Sequence, residues 1–400
     1  MNAIKEENSK VFLLLLLGML TAFGPFVTDM YLPSLPSMID YFSTSSSMVQ
    51  LGLTTSMIGL ALGQIFFGPL SDKYGRRPLL LVSIVLFMIS TMLCLFVPDI
   101  YSFVTLRLIQ GIAGAGGIVI SRSISTDKFS GKELAKMLAM IGAINGVAPV
   151  AAPVIGGLLT GTVGWKGIFV ILLLLGILLW IGCIRFKESL PIEKRSKTGV
   201  VATFRSFGTI VRNGRFMLYV LQLAFAQGIL FAYIASSPFI IQQHYGFSPL
   251  AFSICFAVNA IAIGTAAAIS VKFRKTEYGT LTGCVGMLVL SILMMVALYS
   301  QCNFWTYELL MFTLLFMMGL TFTTSTTLAM DCERQYSGAA SALLGALCFA
   351  AGGIVSPLVG LGDILISTGI TFIICAICSL LCALGAVRRT IVKVVKVSRI

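Results

Sequence analysis

Asp29 and Arg107 are the two ionisable residues that stand well inside long apolar stretches, in Thr28-Asp29-Met30-Tyr31-Leu32-Pro33 and Leu106-Arg107-Leu108-Ile109-Gln110-Gly111. A charge at membrane depth is costly and is a functional candidate wherever it occurs. At helical spacing Asp29 shares a face with Pro25, Ala22, Thr21 and Gly18, a stripe of small and weakly polar residues. Arg107 shares one with Gln110, Gly111, Gly114 and Ser121. Both faces suit the interior of a helix bundle better than lipid. Burial favours the neutral form of a carboxyl and a nearby cation favours the charged form, so a group caught between them can exchange a proton near neutral pH. Two readings follow. Either Asp29 carries a proton, or it forms a static ion pair with Arg107 or with another helix. Asp99, Glu308 and Asp363 fall near the predicted ends of apolar runs and read as solvated.

A pocket for a lipophilic molecule should be apolar with few polar anchors. Besides Asp29, the candidates on interior faces are Met30, Tyr31, Gln110, Asn145, Gln227, Phe231 and Tyr233, each of which could equally be ordinary helix packing. Their aromatic rings could hold a cationic ligand. His244, the single histidine, stands beside Tyr245-Gly246 in a predicted outer loop and reads as packing rather than as a proton relay. Trp165 and Trp305 read as anchors at the membrane surface. Nine of the ten Cys lie in apolar stretches or at their inner ends, Cys302 alone lies near an outer loop, and Cys375-x-x-Cys378 has no His nearby. The thiols are expected to pack as small hydrophobes, and no metal site is expected.

These residues need a scaffold, and composition says which. The chain has 400 residues, 58% hydrophobic and 11% charged, with a mean hydropathy of +0.99. A water-soluble domain carries roughly a quarter charged residues, so both a soluble fold and a disordered chain are excluded. Apolar runs at 11–35, 49–70, 78–97, 100–121, 135–160, 165–184, 217–240, 250–271, 279–298, 304–330, 338–361 and 366–387 predict twelve membrane-spanning helices. Of the 28 Lys and Arg, all but Lys166 and Arg107 then fall on the side that holds both termini. That asymmetry makes this side cytoplasmic and explains the net charge of +13 without a nucleic-acid partner. The polar stretch at 185–216 divides the helices six and six. Pro153-Val-Ile-Gly156 is echoed 204 residues later by Pro357-Leu-Val-Gly360, as two related halves would require. Halves that rock about a central cavity suit a transporter. The expected domains are an N-terminal six-helix bundle (1–185), a cytoplasmic linker (186–216), and a C-terminal six-helix bundle with a basic tail (217–400).

The second and third helices meet at Gly68-Pro69-Leu70-Ser71-Asp72-Lys73-Tyr74-Gly75-Arg76-Arg77-Pro78. Gly75 permits a tight turn, Pro78 suits a first helical turn, and Asp72 at a helix end could pair with Arg at the start of the loop to latch a gate. This segment resembles the signature loop of the major facilitator superfamily, G-x-L-x-D-x-x-G-R-R/K. Arg107 through Gly111 resembles that superfamily's fourth-helix R-x-x-Q-G motif. The run Asn145-Gly146-Val-Ala-Pro149-Val-Ala-Ala-Pro153-Val-Ile-Gly156-Gly157 is similar to its antiporter motif, G-P-x-x-G-G, with Ala152 for the first Gly and Pro149 as an extra kink. Asp29-Met-Tyr-Leu-Pro33-Ser-Leu-Pro36 and Gly338-Ala-Ala-Ser-Ala-Leu-Leu-Gly345 resemble the Bcr/CflA drug-resistance branch.

The resemblance implies an all-α major facilitator fold and proton-coupled drug export. Asp29 matches the acid at which members exchange protons against substrate, and Arg107 the arginine tied to that coupling. Asp72 and Arg76 match a cytoplasmic latch, which Asp127 could join through Arg76. Some members carry a further first-helix acid about two turns earlier, where this chain has Thr21. The expected protein is a monomer in the bacterial inner membrane, spanning it many times with both termini cytoplasmic. It uses protons, a small-molecule substrate and surrounding lipid, and has no cofactor and no enzymatic activity. No Walker loop, HExxH or nucleophile elbow is present to suggest otherwise. An exporter of a small metabolite such as an amino acid or nucleobase is the alternative. A membrane receptor or an embedded enzyme would need a sensory domain or a catalytic constellation that the sequence lacks.

Overall fold

The computed structural model describes residues 8–195, 207–270, 272–273, 275–333 and 337–397. Among them there is no strand. The first predicted run is two helices, α1 (Lys10–Asp29) and the short α2 (Leu35–Phe42), joined by a turn and a 3-10 segment at Leu32–Ser34. Pro33 has no N–H to continue the α-helix and disfavours helical backbone at the residue before it, so α1 stops short of it. Then follow α3 (Ser46–Tyr74), α4 (Arg76–Cys94), α5 (Ile100–Lys128) and α6 (Gly131–Arg185). The second half contains α7 (Gly214–Phe239), α8 (Pro249–Ser270), α9 (Thr276–Tyr299), α10 (Phe304–Cys332), α11 (Ser337–Leu358) and α12 (Ile364–Val397).

The 55 residues of α6 are two spans rather than one, because Gly164 sits at φ 66° and ψ −174° and reverses the chain. Glycine alone adopts such a backbone without strain. With α1 and α2 taken as one span and α6 as two, the helices among the described residues make twelve, each long enough to cross about 30 Å of hydrocarbon. The junction between α3 and α4 is tighter than the sequence suggested. It is the single residue Gly75 at φ 102°, and Arg76 opens α4 instead of a loop.

The helices sort into two lobes. In the first, α1 packs on α5 and α6, and α5 packs on α3 and α4. In the second, α7 packs on α10, α11 and α12, and α10 on α8 and α9. Small residues set the closest approaches. A side chain at Gly59 or Gly63 would strike the backbone of α5, and one at Gly111 the Ser56 carbonyl of α3. Between helices in lipid, such small-residue contacts and their hydrogen bonds supply most of the cohesion. Large aliphatic side chains such as Val82, Ile89, Leu174, Leu178 and Leu381 are turned outward, as a chain solvated by hydrocarbon requires. Trp305 is 77% exposed at the start of α10. Trp165, expected at a membrane surface, is instead buried against Tyr41, Phe42, Phe103 and Phe169.

The lobes touch along α3–α11 and α6–α8. Among the described residues, two hydrogen bonds cross between them. Gln50 Nε2 donates to the Ala235 carbonyl and Gln242 Nε2 to the Pro33 carbonyl, each at 3.0 Å. Both lie at the end of the molecule away from the basic loops.

Candidate functional site

Asp29 is the last residue of α1, at the break inside the first lobe, and is 7% exposed. A helix end in a protein interior leaves backbone carbonyls without intrahelical partners. Arg107 supplies one partner. Its Nη2 donates to the Val27 carbonyl at 3.0 Å and its Nε to the Gly52 carbonyl of α3 at 3.3 Å. Its Nη1 donates to Gln110 Oε1, and Gln110 Nε2 in turn donates to Thr91 Oγ1 at 2.6 Å. The guanidinium carbon lies 4.4 Å from the centre of the Tyr31 ring and 5.7 Å from that of Phe169. A cation at a helix C-terminus meets the negative end of the helix dipole, and aromatic faces add to that.

The wholly buried Arg107 is therefore balanced by carbonyls and rings. It is not bridged to Asp29. Among the described residues no Lys or Arg nitrogen lies within 4.0 Å of the Asp29 carboxylate. Among the described residues the static pair left open by the sequence is absent, and Asp29 is a buried carboxyl without an ion-pair partner.

The proline–glycine run of α6 holds this break in place. A Cβ at Gly156 would overlap the Met30 carbonyl oxygen, so only glycine lets α6 lie against the end of α1. One residue on, a Cβ at Gly157 would strike Ser253 of α8 and come within 2.9 Å of the Pro249 carbonyl oxygen. The glycine pair thus presses one face on the Asp29 break and the other on the opposite lobe. Pro153 and Pro149 lie one and two turns earlier on the same helix. The side chains of Asn145 and Gly146 lie outside the described residues.

The residues expected to line a pocket separate into groups. Tyr31 and Gln110 contact Arg107, and Met30 lies against Gly156; all three are buried. Across the lobe interface, Phe231 on α7 lies 6.0 Å from Phe349 on α11, which packs against Leu60, Ala115 and Ile118 of the first lobe. Gln227, one turn before Phe231, has a buried Oε1 with no hydrogen-bond partner. Tyr233 turns to α8, where it stacks on Phe256 at 5.5 Å and its hydroxyl accepts from Asn259. A separate apolar recess of about 520 Å³ lies between α1 and both arms of α6. It is bordered by Phe23, Phe26, Val147 and Leu175 and ends one turn short of Asp29.

At the basic end, Arg76 donates from Nε to Asp127 Oδ2 at 2.9 Å and from Nη1 to Ser71 Oγ at 2.7 Å, and it also pairs with Asp72. This network ties α3, α4 and α5 within one lobe, and Gly68 packs beside Val119 of α5. Sequence reasoning passed over Glu188. Its two carboxylate oxygens accept from the backbone N–H groups of Arg76 at 3.0 Å and Arg77 at 3.1 Å. It caps the start of α4 from a distant segment, as an anion at a helix N-terminus should. The Arg77 side chain donates to the Ile184 carbonyl at 2.7 Å. Glu308, expected to be solvated near a helix end, is only partly exposed: one of its oxygens is buried without a partner, and the other accepts from Asn259 at 2.9 Å. The apolar period of α10 gave no sign of this, because the partners come from α7 and α8.

Comparison with known proteins agrees with this architecture. The chain is 38% identical over 366 residues to the uncharacterized MFS-type transporter YdgK of Bacillus subtilis, covering 89% of this chain and 90% of that one. It is 28% identical over 370 residues to the bicyclomycin resistance protein homolog of Haemophilus influenzae, with the same coverage. The fold matches a bacterial homolog of the human lysosomal transporter Spinster, solved inward-facing and occupied, with a TM-score of 0.76 at 18% identity over 96% of this chain and 98% of that one. The model of the Major Facilitator Superfamily matches residues 14–357, and the chain belongs to that superfamily of multi-pass membrane transporters.

Proposed function

We propose that the protein exports lipophilic neutral or cationic drugs across a bacterial inner membrane in exchange for protons. The observation that carries this reading is Asp29, buried at a helix break with no cation among the described residues within 4.0 Å. An uncompensated buried carboxylate is costly, and that cost falls away when the group takes up a proton or a cationic substrate. Competition of the two for one carboxyl is the simplest coupling between proton entry and drug exit. The resistance named in a relative points the same way.

The basic loops make their end cytoplasmic, so the Gln50–Ala235 and Gln242–Pro33 bonds seal the outer side. Substrate enters from the cytoplasm between the lobes, where Phe231 and Phe349 offer aromatic faces and Gln227 Oε1 an idle acceptor. The proton gradient drives the cycle without a cofactor or a metal. Both lobes come from one chain, so a monomer suffices. Loss of the outer seal starts the outward half of the cycle. Gly157→Ala should weaken that seal by wedging α6 from α8, at about 1–3 kcal/mol for overpacking. A cysteine introduced at Ser236 should then react about tenfold faster with a membrane-impermeant maleimide for each 1.4 kcal/mol of shift.

The function is tested by expression in a host stripped of its own exporters, using growth on chloramphenicol, bicyclomycin and ethidium, and ethidium extrusion with and without a protonophore. Raised tolerance to one of these, with extrusion abolished by the protonophore, is expected. Extrusion that survives the protonophore, or secretion of an amino acid or nucleobase with unchanged drug tolerance, would overturn the reading.

A further inference from the structure

The second lobe holds a polar group that the coupling scheme does not use. Glu308 stands in the second turn of α10 with Oε2 buried and unpartnered, while Oε1 accepts from Asn259 Nδ2 at 2.9 Å. Asn259, fully buried on α8, also donates from Nδ2 to the Tyr233 hydroxyl at 3.1 Å, and its Oδ1 has no partner. Tyr307 on α10 is fully buried, and its hydroxyl too has no partner. Among the described residues, the titratable groups near enough to feel the Glu308 charge are Tyr233 on α7, Cys255 on α8 and Tyr307 on its own helix. None is a cation, and no Lys or Arg among the described residues reaches within 4.0 Å of it.

The two halves of the chain give this group a place in the design. At an offset of 204 residues, Tyr233 is the counterpart of Asp29, Asn259 of Thr55, and Glu308 of Val104. Thr55 Oγ1 donates to the Val104 carbonyl at 2.9 Å, so the same two helices are tied at the same level in the first lobe. That lobe places its acid on the first helix of the repeat, and the second lobe places one on the fourth.

We propose that Glu308 is a second proton-binding site, and that Asn259 reports its charge to Tyr233 by turning its amide over. The amide as it stands gives two N–H donations from one nitrogen, which suits an ionised carboxylate. A proton taken up from water by Glu308 and held on the oxygen that faces Asn259 makes that oxygen a donor, and the amide meets it by presenting its own oxygen. The same rotation lets the Tyr233 O–H donate to that oxygen, so the hydrogen-bond direction along Glu308, Asn259 and Tyr233 reverses. Nothing else is transferred. The proton returns to water when Glu308 ionises and the amide turns back. Tyr233 and Phe231 belong to the same turn of α7, Tyr233 facing α8 and Phe231 facing α11, so a change of partner at Tyr233 bears on the helix that also lines the surface the substrate is proposed to meet. This inference rests on the reading that protons drive transport, but it concerns a different carboxyl.

Infrared difference spectroscopy of the full chain in lipid, titrated through neutrality without substrate, reads each protonated carboxyl through its C=O band. Wild type should show two such bands. Asp29→Asn should remove one, Glu308→Gln should remove the other, and Tyr233→Phe should shift the Glu308 band alone. The Tyr233 variant keeps the test open if Glu308→Gln does not fold. A single wild-type band, lost in Asp29→Asn and unmoved by Tyr233→Phe, would overturn the second site and leave the Asp29 reading standing. A band lost only in Glu308→Gln would uphold the second site and overturn the Asp29 reading.

Discussion

Arg107→Ala is expected to abolish transport and to destabilise the first lobe by on the order of 3 kcal/mol, since hydrogen bonds to a buried charge contribute about 1.5–3 kcal/mol each. Removing the guanidinium leaves the Val27 carbonyl without its donor at the end of α1, frees Gln110 Oε1, and takes the cation from the face of Tyr31. The three helices it ties then lose their common anchor next to Asp29. Arg107→Lys should recover part of the stability and little of the transport, because an ammonium cannot reproduce the planar fork that reaches Val27, Gly52 and Gln110 together. Thermal unfolding in detergent, read beside dye efflux in vesicles, checks both. Stability and efflux at wild-type levels in Arg107→Ala would remove Arg107 from the account.

Asp29→Asn should behave in the opposite way, folding as well as wild type while losing coupling. The amide fills the same space and removes a buried charge that has no cationic partner among the described residues, so no loss of stability is expected. One charge moving through 100 mV supplies about 2.3 kcal/mol, which at 1.4 kcal/mol per tenfold step corresponds to a gradient of some tens-fold. The variant should give up that gradient and retain only exchange of substrate down its own concentration gradient. Counterflow of preloaded ethidium should persist while uphill accumulation in everted vesicles vanishes. The two variants separate the roles assigned here, with Arg107 holding the break in α1 and Asp29 changing charge at it.

The helix count and the placement of Asp29 and Arg107 on interior faces were legible because both depend on periodicity and on a solvent that rejects charge. Three features were not. The break after Asp29 was hidden in a continuous apolar run, although Pro33 and Pro36 mark it once the Met30–Gly156 contact is known. The choice between a pair and a lone carboxyl could not be made, because it turns on whether Arg107 reaches Asp29 or the carbonyls at the end of α1. Spacing does not encode that geometry. Glu188 and Glu308 escaped notice because each draws its meaning from segments far away in sequence, the start of α4 in one case and Asn259 and Tyr233 in the other. The motif glycines were recognisable as a pattern, but their division of labour is a matter of packing. Gly156 serves the break, and Gly157 the contact between lobes.

The central claim is that a proton and a drug compete for the Asp29 carboxyl. Its most direct measurement is the proton release that accompanies drug binding to the purified protein in weakly buffered detergent, followed by a pH dye during titration with ethidium. The account predicts release on binding by wild type, and about one proton fewer per bound drug in Asp29→Asn. Undiminished release in that variant would contradict it.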